Sequence, residues 1–447
     1  MAHTDRRFAA VVAAYSVSSF GTYLNLIALS LFSYEVTGTA LGVGLMMALR
    51  LSAGFAAGMT SAALTARVAR AHVMYGAHLA QCLTLLVLAL FAGNAAPALL
   101  AVAVVVLGAS STWFSVSLRS SVPAMVGAEL RGRANGLLVT ARSIATVLGF
   151  ASAAVIIGFG GYALAFAVNA ASFALAAAVL LAARPRTEEE PDGADHGAVE
   201  SGRSAADGQP AADGEPDAEG RTRAGLRRLG STLPAVLLAL VALRGLDALA
   251  SSSHNVALPV VAHSEAPDNP ALHMTRFWVA WAVGTVLAHL VLRRRRGESA
   301  WGVRAFALGT CAMSAAFVAA FLGLPAIGLV LVATAAGFAD GWTEIVYTSR
   351  LQAAPEPERT RLFGLSATAE QSGFALGTVA AAGALEALPA LAVVGLFHGT
   401  AACGALLLLL YAVRRHTPER PSPEADRGSD ERGAHGARAR AGPVSGP

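Results

Sequence analysis

Two acidic side chains four residues apart are the first feature of the sequence that suggests chemistry. Asp340 and Glu344 stand at positions i and i+4 of an apolar stretch, so a helix would place both carboxyl groups on one face. Two carboxylates so close repel when both are ionised, which favours protonation of one. The pair is therefore a candidate for proton coupling. The alternatives are pairing with an arginine such as Arg350, or a position nearer the water.

A basic and an acidic residue, Arg244 and Asp247, stand three positions apart in another apolar stretch. On a helix they lie on adjacent turns of one face. They either neutralise each other or form an exchangeable ion pair that opens when Asp247 takes up a proton. The polar run that follows, residues 251–255 with Asn255 at its end, interrupts the apolar helix and must face protein or water.

Other polar residues fall inside apolar stretches, where ionisable groups are costly and often functional. Arg50 is a candidate to bind an anionic substrate, the alternatives being a structural ion pair or a side chain that reaches the membrane surface. Further candidates for an internal cavity are Tyr23, Asn25, Trp113 and Asn169. Trp278 and Trp281 fit an aromatic belt at the membrane surface.

The elements that must position these residues are membrane-spanning helices. Hydrophobic residues make up 55% of the 447 residues and charged residues only 14%, against about 25% charged in soluble proteins. Stretches of about 20 apolar residues predict spanning helices. We place twelve of them, at 8–33, 39–62, 72–93, 97–118, 136–158, 161–183, 233–262, 272–292, 302–323, 325–347, 363–387 and 389–412.

The loops between these segments predict the orientation. Arginines concentrate in the loops on the side of the two termini, and the opposite loops carry mostly acidic residues, so both termini should be cytoplasmic. The predicted organisation is a six-helix half at 1–183, a disordered cytoplasmic linker at 184–232, a second six-helix half at 233–415 and a disordered tail at 416–447.

An internal repeat relates the two halves at an offset of 228 residues. Arg131, Gly136 and Gly149 fall on Arg359, Gly364 and Gly377. Ala145 and Gly149 overlay Gly373 and Gly377, which gives a pair of small residues four apart in each half. Arg142 overlays Glu370, and we expect these two to pair across the interface between the halves, mainly in a structural role.

The composition excludes several classes of function. No lysine occurs, which excludes a Walker A lysine and a lysine Schiff base. No motif for a metal site or a cofactor is present, and we expect neither, nor a nucleic-acid partner. We do not expect an enzyme. A membrane-embedded enzyme and a non-transporting membrane sensor or scaffold are the alternatives from other classes.

Three stretches, at 18–54, 122–149 and 361–377, resemble the major facilitator superfamily, and its enterobactin-exporter and macrolide-efflux-like branch in particular. The last of them reads RLFGLSATAEQSGFALG. The resemblance implies an all-α fold of twelve transmembrane helices in two pseudo-symmetric halves, with alternating access. It implies a cavity lined by segments 1, 4, 7 and 10, hence by Asn25, Trp113, Asp247 and Asp340.

The resemblance also implies an inner-gate loop at Arg67 and Arg70. Here Ala66 stands where the superfamily has an aspartate, so charge pairing at that gate is weakened or made differently. The expectation is a secondary active transporter that exports a small organic molecule, such as a drug, siderophore or natural product, with protons as a possible coupling ion. We expect a monomer in a bacterial inner membrane, with the lipid bilayer and the substrate as partners.

Overall fold

The computed structural model describes residues 2–127, 130–187, 235–294, 302–354 and 356–414, and their regular structure is helical. Apart from a short 3-10 turn, Ala92–Asn94, these residues form long α-helices. The helices are α1 (Ala2–Thr37), α2 (Ala40–Thr65), α3 (Arg70–Phe91), α4 (Pro97–Val126), a continuous stretch Arg131–Ala183, α7 (Ala235–Glu265), α8 (Pro270–Arg294), α9 (Val303–Ala319), α10 (Ala326–Gln352), α11 (Glu356–Leu385) and α12 (Ala390–Arg414).

The stretch Arg131–Ala183 is two helices joined at a glycine pair. Gly160 leaves the helical region, and Gly161 has a φ of +63°, a conformation that glycine adopts without strain. The chain therefore reverses here without a loop. We name its two parts α5 (131–159) and α6 (162–183).

Each predicted apolar segment overlaps one of the helices α1 to α12. By length and composition, nine helices of the described chain can cross a membrane, with the stretch 133–183 counted once. The helix α9 has only 17 residues, and α11 is rich in small and polar residues. The predicted linker at 184–232, beyond residue 187, and the predicted tail at 416–447 lie outside the described residues.

Small residues bring equivalent helices together in the two halves. A Cβ added at Gly149 would lie 2.6 Å from the Phe20 carbonyl oxygen and 3.0 Å from the Leu24 nitrogen, so α5 packs closely on α1. A Cβ at Gly377 would meet Leu249 and Ser252 of α7 in the same way. Ser252 is related to Leu24 by the sequence offset of 228, so the internal repeat is also a repeat of helix packing.

The two halves meet near one end of the helices. We call the end where α1 begins and α12 stops the terminal face, and the other end the opposite face. At the opposite face the Leu41 N–H donates to Glu386 Oε1 over 2.8 Å, and the rings of Tyr34 and His263 lie 4.7 Å apart. Deeper in, the Ala154 N–H donates to Thr275 Oγ1 over 3.1 Å.

Toward the terminal face the halves separate. Phe55 and Met59, in the second half of α2, line the space between the halves and are 63% and 70% exposed although they are large and apolar. The structure is therefore closed at the opposite face and open at the terminal face.

Candidate functional site

A cavity of about 710 Å³ lies between the halves, and we call it the central cavity. Its walls come from α1, α2 and α4 of the first half and from α7, α8 and α11 of the second. The lining residues are mostly apolar, with four methionines and three aromatic rings. They are Leu26, Leu29, Ser30, Ser33, Met46, Met47, Arg50, Leu51, Gly54, Phe55, Gly58, Met59, Val104, Gly108, Ser111, Thr112, Asn255, Met274, Trp278, Gln371 and Phe374.

Arg50 is the one charged side chain among these lining residues. It stands ten residues after the start of α2 and fifteen before its end, hence near the middle of the helix. Among the residues the structure describes, no acidic side chain lies within 4 Å of its guanidinium. The cavity therefore carries a net positive charge.

A cluster of charges around Arg244 lies in the second half. Its Nη1 is 3.1 Å from Asp247 Oδ2, its Nη2 contacts Glu344, and its Nε is 3.5 Å from Glu370 Oε1. The guanidinium also lies 5.6 Å from the centre of the Tyr347 ring, a cation–π geometry. One cation thus serves three carboxyl groups from three helices, α7, α10 and α11.

Hydrogen bonds orient the outer members of this cluster. The Ser366 hydroxyl donates to Glu370 Oε1 over 2.7 Å, and the Tyr347 hydroxyl donates to Ser366 over 2.7 Å. The Thr348 hydroxyl lies 3.3 Å from Glu344 Oε1. The bond between Tyr347 and Ser366 ties α10 to α11 beside the shared arginine.

Asp247 is the most enclosed carboxyl group that touches Arg244. Its side chain is 6% exposed, against 49% for Glu344 and 37% for Glu370. Its Oδ1 is buried and has no hydrogen-bond partner among the described residues. A buried carboxylate oxygen without a partner is costly, and this oxygen sets Asp247 apart from the more exposed Glu344 and Glu370.

Comparison with known proteins identifies the family of this chain. The model of the Major Facilitator Superfamily matches residues 11–378. The chain belongs to the Major Facilitator Superfamily. The chain is therefore a multi-pass membrane protein and a transporter, not an enzyme. No curated protein sequence matches it.

Solved transporters of this superfamily share the fold. A POT family peptide transporter in an auto-inhibited form is 13% identical with a TM-score of 0.70, over 94% of this chain and 99% of its own. A peptide transporter POT in complex with sulfate is 15% identical with a TM-score of 0.64, over 92% and 94%. A nucleoside transporter is 15% identical with a TM-score of 0.61, over 90% and 99%.

The central cavity of this superfamily member contains only two of the residues predicted to line it, Arg50 and Asn255. Arg244 lies in the charge cluster instead. The other four are not among the lining residues of this cavity, and their part in transport stays a prediction. Those four are Tyr23, Asn25, Trp113 and Asn169.

Three of these four residues, Asn25, Trp113 and Asn169, have a buried polar atom without a hydrogen-bond partner among the described residues. Asn169 is fully buried and accepts from the Ser172 hydroxyl over 3.1 Å, facing Gly21 of α1. Asn25 Oδ1 and Trp113 Nε1 are buried without a hydrogen-bond partner in the described part of the chain. The resemblance favours Asn25 and Trp113 for the cavity. The helices α1 and α4 do line it, but through other residues, and α2, α8 and α11 contribute much of the remaining wall.

The predicted pair between Arg142 and Glu370 is not formed. Arg142 Nε donates to the Tyr23 hydroxyl of α1 over 2.8 Å, while Glu370 contacts Arg244 of α7. Both contacts stay within one half. The overlay of the repeat placed the two residues on equivalent helices, and equivalent helices face equivalent partners, not each other.

Asp340 and Glu344 have different surroundings although they share one face of α10. Glu344 contacts Arg244, whereas Asp340 interacts with the Trp281 side chain of α8. The arginine that pairs with Glu344 is thus Arg244 and not Arg350. Whether Asp340 or Glu344 takes part in proton coupling stays a prediction.

The inner-gate loop is anchored within the first half. Arg70 Nη1 lies 3.2 Å from the carbonyl oxygens of Ser120 and of Thr187, which lies just beyond α6. Arg67 is exposed. In this open state the loop makes no described contact with the second half.

Three other sets of side-chain contacts were not predicted from the sequence. Glu386, at the end of α11, forms the hydrogen bond that joins the halves at the opposite face. His254 Nδ1 lies 3.1 Å from His398 Nε2, and both rings are buried. Trp278 is 6% exposed and stacks on Phe150 of the first half, so its assignment to a membrane-surface belt is wrong.

The remaining negative expectations concern metals and cysteines. Within the described ranges, no group of three or more His, Cys, Asp or Glu side chains has the arrangement of a metal site. Cys82, Cys311 and Cys403 are free thiols.

Proposed function

We propose that the protein is a proton-coupled secondary transporter that exports a small organic molecule by alternating access, with all twelve helices crossing the membrane. The observation that carries this proposal is the position of Asp247. It is an enclosed carboxyl group with one unpaired oxygen, and it contacts an arginine shared with two other carboxyl groups. Such a group holds a proton in one state and an ion pair in the other.

The proposed switch acts through the sharing of Arg244. When Asp247 is ionised, it holds the guanidinium close to α7. When Asp247 is protonated, the attraction weakens and Glu344 and Glu370 compete for the same cation without opposition. Because these two stand on α10 and α11, proton uptake changes which helices are held together near the terminal face, where the halves are apart.

The alternating movement requires a second closed state. In this structure the halves touch at the opposite face and the cavity is open at the terminal face. Closing the terminal face and releasing the contacts of Glu386, Thr275 and Tyr34 would expose the same cavity to the other side. Both halves carry the same helix packing, so they can rock as rigid bodies about the cavity.

The orientation and direction follow from the sequence. The arginine-rich loops favour cytoplasmic termini, and the cavity would then open to the cytoplasm. The likeness of residues 18–54 and 122–149 to efflux transporters favours export across a bacterial inner membrane. A cavity of about 710 Å³ suits a small organic solute, because pockets for such molecules span roughly 300–1,000 Å³. The described residues complete this cavity within one chain, in keeping with a monomer.

A substrate screen followed by reconstitution tests this function. Cells with and without the protein are compared for resistance to, and accumulation of, a panel of drugs, siderophores and natural products. A solute that responds is then labelled and followed in proteoliposomes with and without a pH gradient. Concentrative movement that needs both the protein and the gradient supports the proposal. Binding without translocation would instead identify a non-transporting sensor.

A further inference from the structure

We propose that the central cavity binds an amphipathic organic anion, with the acidic group of the ligand at Arg50 and its apolar body between the methionine and aromatic side chains. This inference rests on the proposed transport function and names the chemical class of its substrate.

The charge of the cavity is the first argument. Arg50 is the only ionisable residue among the 21 that line it, and no described acidic side chain lies within 4 Å of its guanidinium. A charge near the middle of a membrane helix is costly unless it is paired or serves a ligand. Asp247, Glu344 and Glu370 contact Arg244 instead, so an anion that completes Arg50 would come from outside the described chain.

The walls supply the second argument. Beside Arg50 in α2 stand Met46, Met47 and Leu51, and across the cavity stand Met274 and Phe374. Methionine side chains are flexible and polarisable, so such walls adapt to apolar bodies of different shape. A small hydrophilic anion would leave these walls uncovered, whereas an apolar molecule without charge would leave Arg50 unpaired. An amphipathic anion satisfies both.

The hydrogen bonds of the neutral polar groups leave Arg50 as the main donor of the cavity. The Ser30, Ser33 and Thr112 hydroxyls donate to carbonyl oxygens of their own helices, so their protons are already used. Trp278 lines the cavity, and its indole N–H is buried without an acceptor in the described chain. These three hydroxyls can only accept from a ligand, so an acidic group of the ligand would take its charge-assisted hydrogen bonds from Arg50.

The cavity would hold the ligand against both halves of the protein. Arg50 belongs to the first half, whereas Trp278 and Gln371 belong to the second. An acidic group held at Arg50 lies in a cavity whose other wall moves when the halves rock. A ligand that contacts both walls favours the state in which they are closest, and binding therefore promotes closure.

A matched set of probes tests the charge requirement on the purified full-length protein. The probes are ω-phenylalkanoates of four to ten carbons, with the primary amides and primary amines of the same chain lengths. Their affinities are measured by ligand-dependent thermal stabilisation of the protein in nanodiscs. At least one carboxylate should bind at about 1 mM or below, and about tenfold or more tightly than its amide and its amine.

Substitution of Arg50 supplies the second arm. Arg50→Gln should lower carboxylate affinity about tenfold and leave amide affinity unchanged, and Arg50→Lys should retain most of the carboxylate binding. The matched control is Arg350→Gln, which removes an exposed arginine at the end of α10 and should change neither.

Four results would overturn the inference: no carboxylate binds, an amide or amine binds as tightly as its carboxylate, Arg50→Gln keeps full carboxylate affinity, or Arg350→Gln loses it equally. If Arg50→Gln does not fold, the comparison of carboxylates with amides and amines on the wild-type protein still tests the inference. Specific carboxylate binding without translocation in proteoliposomes would reject the proposed transport function and keep the anion site. Transport of neutral solutes alone would support the proposed transport function and reject the anion site.

Discussion

Arg244 and Asp247 form an ion pair of 3.1 Å within α7, and the second oxygen of Asp247 has no partner among the described residues. The arginine is not dedicated to this aspartate, because Glu344 and Glu370 reach it from neighbouring helices. Arg244 therefore keeps two other carboxyl partners if its contact with Asp247 is broken. The proposed proton switch relies on this sharing of Arg244.

Removal of the proton site should uncouple transport from the pH gradient. Asp247→Asn keeps the shape and hydrogen-bonding capacity but cannot titrate, so transport driven by a pH gradient should fall about tenfold or more. Exchange of labelled for unlabelled substrate at equal pH should continue, since it needs no proton movement. Glu344→Gln is the control and should have a milder effect, because Glu344 is half exposed. Equal losses in both variants would contradict a special role for Asp247.

Asp340 remains the second candidate for a protonation site. Its contact with Trp281 of α8 places it outside the direct contacts of Arg244, although on the same face as Glu344. Asp340→Asn should therefore reduce pH-driven transport less than Asp247→Asn does. The same proteoliposome assay measures both variants side by side. The reverse order of the two effects would move the proton site to α10.

The hydrogen bond between Glu386 and the first turn of α2 should hold the opposite face closed. A carboxylate at a helix N-terminus contributes about 0.3–1 kcal/mol, so Glu386→Ala should shift the equilibrium toward opening by about two- to fivefold. The measurement is the labelling rate of Met47→Cys by an impermeant maleimide added at the opposite face, with the native cysteines replaced.

Glu265→Ala provides the control for that experiment. Glu265 is an exposed acidic residue at the same face, in a separate recess with His273 and Arg276. Its removal should leave the labelling rate unchanged. A rate in Glu386→Ala equal to that of the parent protein would show that the apolar contacts alone keep this face closed.

The close approach of α5 to α1 should not tolerate a methyl group. In Gly149→Ala the new Cβ would lie 2.6 Å from the Phe20 carbonyl oxygen, so the helices must separate. We expect a loss of about 1–3 kcal/mol in stability, seen as a lower melting temperature in detergent. In the control, Gly136→Ala of the same helix, the Cβ meets nothing within 4 Å. Equal melting temperatures would refute the close contact.

The termini should lie in the cytoplasm if the arginine-rich loops set the orientation. A reporter that is active only outside the cytoplasmic membrane, fused after residue 447, should show no activity. The same reporter in the short loop between α7 and α8 should be active. Activity at the C-terminus would reverse the orientation and with it the assignment of the open face to the cytoplasm.

The sequence predicted the helices and the internal repeat, but not which neighbouring helix an individual side chain faces. Apolar length predicted the helices, and the offset of 228 identified the small-residue positions such as Gly149, because both depend on local composition. The partner of Arg142 was not predictable, because a repeat identifies equivalent helices and not the side chains between them. Trp278 fitted the surface belt by its position along the helix, but the rotation of α8 turns it toward Phe150.

The most direct test of the central claim is the movement of protons with the transported solute. Proteoliposomes that contain a pH-sensitive dye and a clamped membrane potential are given the solute identified in the cell screen. We expect a proton flux that starts when the solute is added to the wild-type protein and that is absent in Asp247→Asn. Solute movement at the wild-type rate with no accompanying proton flux, or an undiminished flux in Asp247→Asn, would contradict the central claim.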